Sequence, residues 1–195
     1  MSNNVNKKDA PVQSFESASA WEGWLAANHA KSDGIWLCIF NKESGKKTVT
    51  YAEALDEALC YGWIDGQKKK FDGDSWLQKF TPRRAGSIWS KRNIEHIERL
   101  TKDNRMKAAG LKAFEDAQKD GRLAVAYDSP SNSTTPDDFL ELLENNQTAK
   151  DFFNSLNKAN KYAINWRLQT AKKPETRQKR MNIILEMLAK GEKFH

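Results

Sequence analysis

Leu59-Cys60-Tyr61-Gly62-Trp63-Ile64-Asp65-Gly66 is the stretch whose reading decides the fold. Before it, Tyr51, Ala54, Leu55, Ala58 and Leu59 recur at the spacing of a helix with one buried stripe. Thr50 and Glu53 stand at capping-box spacing, so that helix starts there. Gly62 closes it, since glycine takes the left-handed C′ conformation with no Cβ penalty. Trp63 and Ile64 then leave the closure directly. Two strands are predicted around Gln67–Phe71 and Ser75–Phe80, turned by Asp72-Gly73-Asp74. A helix that gives way to a hairpin points to the α+β class, with a small antiparallel sheet packed by helices.

Working outward, Ile35-Trp36-Leu37-Cys38-Ile39-Phe40 is short, apolar and bounded by turn residues, which predicts a strand. Trp21, Trp24 and Leu25 repeat at helical spacing behind Ser19, a suitable N-cap. Downstream of Pro82 the strand signals stop. Ser90 can cap a helix carrying Ile94, Ile97 and Leu100 on one face, and a second helix runs from Met106 to Lys119 and closes at Gly121. Tyr127–Pro136 has the Ser, Thr, Asn and Pro content of a linker. Only helices are read beyond it, starting at Thr135-Pro136-Asp137-Asp138, near Thr148 and Asn160, and at Pro174, the last with a stripe of Ile184, Leu185 and Leu188. The expected organisation is a disordered tail at 1–14, an α+β domain at 15–127, a linker at 128–133 and an all-helical C-terminal domain at 134–195.

The composition narrows the function classes. Thirty-two Lys and Arg against 26 Asp and Glu leave a net charge of +6 in 195 residues, and seven Trp with nine Phe are far too many for a disordered chain. No apolar run is long enough to span a bilayer, and MSNNVNKKDAP holds no apolar core of a signal peptide, so a cytoplasmic location without membrane insertion is expected. Cys38 and Cys60 lie in apolar stretches and read as buried thiols. His29, His96 and His195 are scattered, and neither metal-ligand spacing nor a cofactor motif occurs, so no metal and no cofactor are expected. His96, beside Glu95 and Glu98, reads as solvent-exposed. The sequence leaves the oligomeric state open.

Two sets of residues are candidates for binding. In the first, Trp63, Asp65, Arg83, Arg84, Trp89 and Asn93 crowd polar groups between indoles. Such a set suits a small anionic or aromatic ligand, because guanidinium bonds carboxylate or phosphate in bidentate fashion and indole faces stack on rings. The bland alternative is that Asp65 and Arg83 form a structural pair and both Trp are core. In the second set, Lys161, Arg167, Lys172, Lys173, Arg177 and Arg180 lie in a stretch with one acid, Glu175, and with Tyr162 and Trp166 interleaved. That pattern suits weak, unspecific nucleic-acid binding, or it is simply a solvated basic face.

The same residues carry a family resemblance. Leu59–Gly66, Phe80–Arg83, Ser87–Ser90 with Asn93, and Met106 with Gly110 resemble the bacteriocin-protection, YdeI or OmpD-associated family of bacterial proteins. So do Phe153, Leu156, Tyr162, Trp166, Ala171-Lys172, Glu175-Thr176-Arg177 and Arg180, in the manner of that family's short helical domain. The resemblance implies a protein of stress tolerance towards bacteriocins or antimicrobial peptides, and it brings no catalytic residues with it. Some relatives join the helical domain to a module similar to a frataxin-like iron chaperone, a function that calls for an acidic surface; a pI near 9.2 argues against it. The expected function is a cytoplasmic, non-catalytic stress-tolerance protein binding a small ligand at the Trp63 cluster. The alternatives are a nucleic-acid-binding module using the C-terminal basic face, and an enzyme with Asp65 as acid or base.

Overall fold

In the computed structural model, which describes residues 10–194, the strand expected at 35–40 lies inside a four-stranded sheet. Its strands are β1 (Val12–Ser14), β2 (Ile35–Phe40), β3 (Trp63–Lys70) and β4 (Ser75–Pro82), in the order β1-β2-β4-β3. β2, β4 and β3 pair antiparallel, as the hairpin reading requires, and β1 adds parallel to β2 through Val12↔Trp36. The class is α+β, with a mixed sheet. β1 falls in the segment read as tail. Its three side chains are exposed, so no apolar alternation marks it; the rest of the tail expectation, residues 1–9, lies outside the described residues.

The helix α1 (Ala18–Asn28) starts two residues earlier than Ser19 suggests, because the Ser17 hydroxyl accepts the Ala20 amide at 3.2 Å. The helix α2 (Tyr51–Cys60) carries the complete capping box of Thr50 and Glu53. Trp21 joins both helices to the sheet. Its ring centroid is 5.6 Å from that of Phe80, and its indole N–H donates to the Ala54 carbonyl at 3.0 Å. The Ile35, Leu37 and Phe80 side of the sheet is therefore the side that the helices cover.

Two more helices follow, α3 (Lys91–Lys102) and α4 (Ala108–Lys119). The Ser90 hydroxyl accepts the Asn93 amide at 3.2 Å, the N-cap geometry expected of it. His96 is not solvent-exposed as read: it is half-buried, with Nδ1 2.8 Å from the Asp56 carboxylate of α2. Gly110 of α4 meets the end of α2 with no room to spare. A Cβ there would collide with the Cys60 carbonyl and stand 2.7 Å from that of Leu59. Gly62 has the left-handed φ of +73° that the sequence reading requires, and a Cβ on it would be 2.9 Å from the Ala109 carbonyl.

The chain forms two units: the described residues up to Ser87 with His96–Ala117, and Ile88–Glu95 with the residues from Gln118 onward. The second contains α5 (Asp137–Glu144), α6 (Gln147–Ser155), α7 (Lys158–Gln169) and α8 (Pro174–Ala189). Asn146 and Asn157 cap α6 and α7, accepting the Ala149 and Asn160 amides at 3.1 and 3.0 Å. Phe139 of α5 and Phe153 of α6 meet edge to face at 6.2 Å over Ile164, Leu168, Ile184 and Leu188. Arg177 of α8 forms a bidentate pair with Asp138 of α5. Among the described residues no helix is long and apolar enough to cross a membrane.

The contact at Gly110 gives a direct test. Gly110→Ala should lower stability by about 1–3 kcal/mol, the usual cost of overpacking. Gly73→Ala, whose Cβ meets nothing within 4 Å, should stay within about 0.5 kcal/mol in the same urea titration.

Candidate functional site

The N-terminal candidate residues divide between the two units, with Trp63, Asp65, Arg83 and Arg84 in the first and Trp89 and Asn93 in the second. Trp63 is 1% exposed, donates its indole N–H to the His29 carbonyl at 3.1 Å and meets Trp24 edge-on at 5.7 Å. It is a core residue of its unit. Asp65, half-buried on β3 opposite Phe80, accepts the Tyr51 hydroxyl at 2.8 Å. Arg83 is half-buried just past β4, and its backbone N–H returns to the Gly62 carbonyl at 3.0 Å. Trp63, Asp65 and Arg83 are thus neighbours along one pair of strands, and Arg84 is exposed beside them. Trp89 is 1% exposed, and its carbonyl accepts the Tyr127 amide at 3.0 Å. Asn93 is buried in the first turn of α3. Neither indole offers an open face for stacking.

The C-terminal basic residues are engaged to different degrees. Lys161 donates to the Asn154 carbonyl at 3.3 Å and lies over the Phe153 ring. Arg177 is committed to Asp138, whereas Lys172 and Lys173 are exposed around the start of α8. Arg180 donates to the Arg167 carbonyl at 2.6 Å and to the Thr170 hydroxyl at 3.2 Å. Arg167 donates to the Ala163 carbonyl at 2.8 Å, and its guanidinium stands 3.6 Å from the centre of the Phe194 ring. Burial, and next the Arg180 guanidinium, push the pKa of Arg167 below the ordinary arginine value.

Arg167 also lines a groove of the second unit with a volume of about 620 Å³. Lys158, Tyr162 and Trp166 follow one another at i, i+4 on α7, with Ala159, Ala163 and Arg167 beside them. The facing wall is Tyr127, Pro130 and Ser131. Tyr127 meets Trp166 edge-on at 6.2 Å. Tyr162 and Trp166, four residues apart, share one side of α7, and that side borders the groove.

Asp128 fixes the facing wall. Its carboxylate takes the Lys91 ammonium at 2.7 Å and the Gln169 side-chain NH2 at 2.7 Å, while its own backbone N–H donates to the Gln169 side-chain Oε1 at 3.2 Å. Its carbonyl accepts the Tyr162 hydroxyl at 3.3 Å, and the Asn165 amide reaches the Ser133 hydroxyl at 3.2 Å. The stretch read as linker is thereby tied to α7. Burial, then Tyr127 and Asp128, raise the pKa of the Tyr162 hydroxyl, which stays protonated and able to donate. Tyr127, Pro130, Ser131 and Lys158 were not among the site residues read from sequence. The i, i+4 stripe of α7 could have indicated Lys158, but nothing local joins Tyr127 to a helix some 30 residues on.

Two family models match the chain. Residues 132–191 match the one described as "Bacteriocin-protection, YdeI or OmpD-Associated". The C-terminal segment of the chain carries the domain of that family. Residues 13–113 match a second model, described as "Domain of unknown function (DUF8412)", which covers half of the chain. No curated protein and no solved structure matches. Within the YdeI or OmpD-associated segment fall all the groove residues of α7, and Tyr127, Pro130 and Ser131 precede it.

The Asp128 anchor predicts a pH dependence. Lys91 first, and then Gln169, hold the carboxyl below its ordinary value against the opposing effect of burial. A depressed folded-state pKa contributes stability that is complete above the unfolded value, about 4, and is lost as pH falls through the lower folded value. Asp128→Asn should therefore cost about 1.5–3 kcal/mol at pH 7, as loss of bonds to a charged group does. The gap between mutant and wild-type melting curves should narrow towards pH 3.

Proposed function

We propose that this bacteriocin-protection, YdeI or OmpD-associated protein acts by binding a small planar anion in the groove of its second unit. The observation that carries the reading is Arg167. It borders a groove walled by three aromatic rings, and among the described residues no carboxylate pairs with it or with Arg180. Two guanidiniums in partial burial without an acid leave positive potential at one end of the groove. A carboxylate or phosphate entering there gains a charge-assisted bond and relieves that repulsion. Tyr127, Tyr162 and Trp166 supply the apolar faces that a ring covers, and Lys158 adds a further cation at the rim. The volume matches small-molecule sites, which are about 300–1,000 Å³ and mostly apolar with few polar groups.

This keeps the ligand chemistry expected from sequence and moves its place from the Trp63 cluster to α7. The test is calorimetric titration with indole and naphthalene carboxylates and their neutral amides. The carboxylates should bind at least tenfold more tightly than the amides, Arg167→Gln should erase that preference, and Trp166→Ala should remove binding of both. Equal affinity for acids and amides, or binding indifferent to Trp166→Ala, would defeat the reading.

A further inference from the structure

The sheet of the first unit has a second face, away from α1 and α2. On β2 the alternation that turns Ile35 and Leu37 towards the helices turns Trp36, Cys38 and Phe40 the other way, where they cluster with Leu77. Lysines lie over these rings. The Lys69 ammonium of β3 is 4.2 Å and the Lys79 ammonium of β4 is 5.4 Å from the centre of the one Trp36 indole, and Lys46 is 4.8 Å from that of Phe40. Lys69 and Lys79 have no carboxylate of the described residues in salt-bridge range, and Lys46 has only Asp74 at 3.6 Å, with both partners well exposed.

Lysines on β3 alone would be ordinary protection of an edge strand against pairing with another sheet. Lys79 is on a strand paired on both sides and Lys46 lies in a connection, so edge protection accounts for neither. Two cations sharing one indole repel each other, and an anion set between them relieves that repulsion. Trp36 and Phe40 are four residues apart on β2, about 13 Å, so the cations are spread along the strand over a length that an extended polyanion spans.

We infer that this outer face binds single-stranded nucleic acid through its phosphates, with Lys69, Lys79 and Lys46 as the contacts. An anionic membrane fits less well. The apolar side chains at the centre of the face are buried, Trp36 at 7% and Leu77 at 1% exposure, and cannot insert, while the exposed Phe71 at the hairpin turn is followed by Asp72 and Asp74. With the rings covered, the contacts are to phosphates, which carry no sequence information, so the binding is independent of sequence. This inference is independent of the groove in the second unit.

The test is fluorescence anisotropy of the full chain with a labelled mixed-sequence oligonucleotide and with oligothymidylate, at 50 to 200 mM salt. Three phosphate contacts predict a slope of log K against log salt near −2 and a weakening of about 20-fold over that range. Lys69→Gln/Lys79→Gln should weaken binding at least tenfold at 50 mM salt and flatten the slope by about 1.4. Lys69→Arg/Lys79→Arg should restore both, and Lys172→Gln/Lys173→Gln should change neither. Circular dichroism checks that each variant is folded. No binding at 50 mM salt would overturn the inference, as would loss on changing Lys172 and Lys173 instead. Lysine-dependent binding to phosphatidylglycerol vesicles without binding to either oligonucleotide would also overturn it, assigning the face to a membrane.

Discussion

The carbonyls at the end of α2 are the point on which the first unit depends. A helix leaves its last carbonyls without intrahelical donors, and buried ones must find partners elsewhere. Here the Leu59 carbonyl takes the Gly62 amide and the Cys60 carbonyl takes the Lys107 amide, each at 3.1 Å. The second bond is made only if the start of α4 comes to backbone distance, which Gly110 permits by having no side chain. The same closure turns the chain at Gly62 into β3, and the Gly62 carbonyl then accepts the Arg83 amide at the far end of the hairpin. Two glycines 48 residues apart thus serve one junction. The Cys60 thiol beside it is raised to about 11 by burial and by Glu57, which keeps it protonated and unreactive as a nucleophile.

Charge pairing completes that junction. Arg99 and His96 of α3 both bond the Asp56 carboxylate, and Arg105 pairs with Glu57 at 2.6 Å. Burial alone would raise the pKa of Asp56, but the bonds from Arg99 and His96 outweigh it and the net shift is downward. In the second unit Asp128 has the corresponding role. One side chain and its own backbone orient a loop wall, a tyrosine hydroxyl and the last turn of α7 together. A groove with a wall fixed in this way is preformed, so a ligand need not spend binding energy on ordering it.

Local chemistry was legible in the sequence wherever one segment suffices to determine it. The Thr50–Glu53 box, the glycine closure at Gly62, the strand at 35–40 and the turn at Asp72–Asp74 each depend on neighbours a few residues away, and each is present. Choices between near-equivalent caps were less legible, as with Ser17 against Ser19. Long-range pairings were not legible at all. Nothing beside His96 indicates Asp56, 40 residues earlier, and a three-residue strand with exposed side chains has no pattern to read. An aromatic among polar residues also has two destinations that its sequence does not distinguish. Trp63 and Trp89 became core, whereas Trp166, at i+4 from a tyrosine on its helix, came to border a groove.

What sets the two proposed surfaces apart is how the basic excess is distributed. The chain carries six more cations than anions, yet most half-buried acids are already committed, Asp56 and Glu57 to arginines and Asp128 to Lys91, as is the exposed Asp138 to Arg177. Those pairs consume cations that hold helices in place, and such pairs contribute chiefly by geometry and by avoiding unpaired charge. Part of the surplus is left where no acid of the described residues pairs with it, at Arg167 and Arg180 beside an aromatic groove and at Lys69 and Lys79 over Trp36. In both places a cation is set against a ring and meets no carboxylate of the described residues. A ring screens one side of a cation from water but cannot neutralise it, so the remaining side attracts an anion more strongly than a fully hydrated surface lysine would. The shape around each proposed site then separates the ligands it suits: a groove walled by three rings fits a compact planar molecule, and lysines spread over an open sheet fit an extended one.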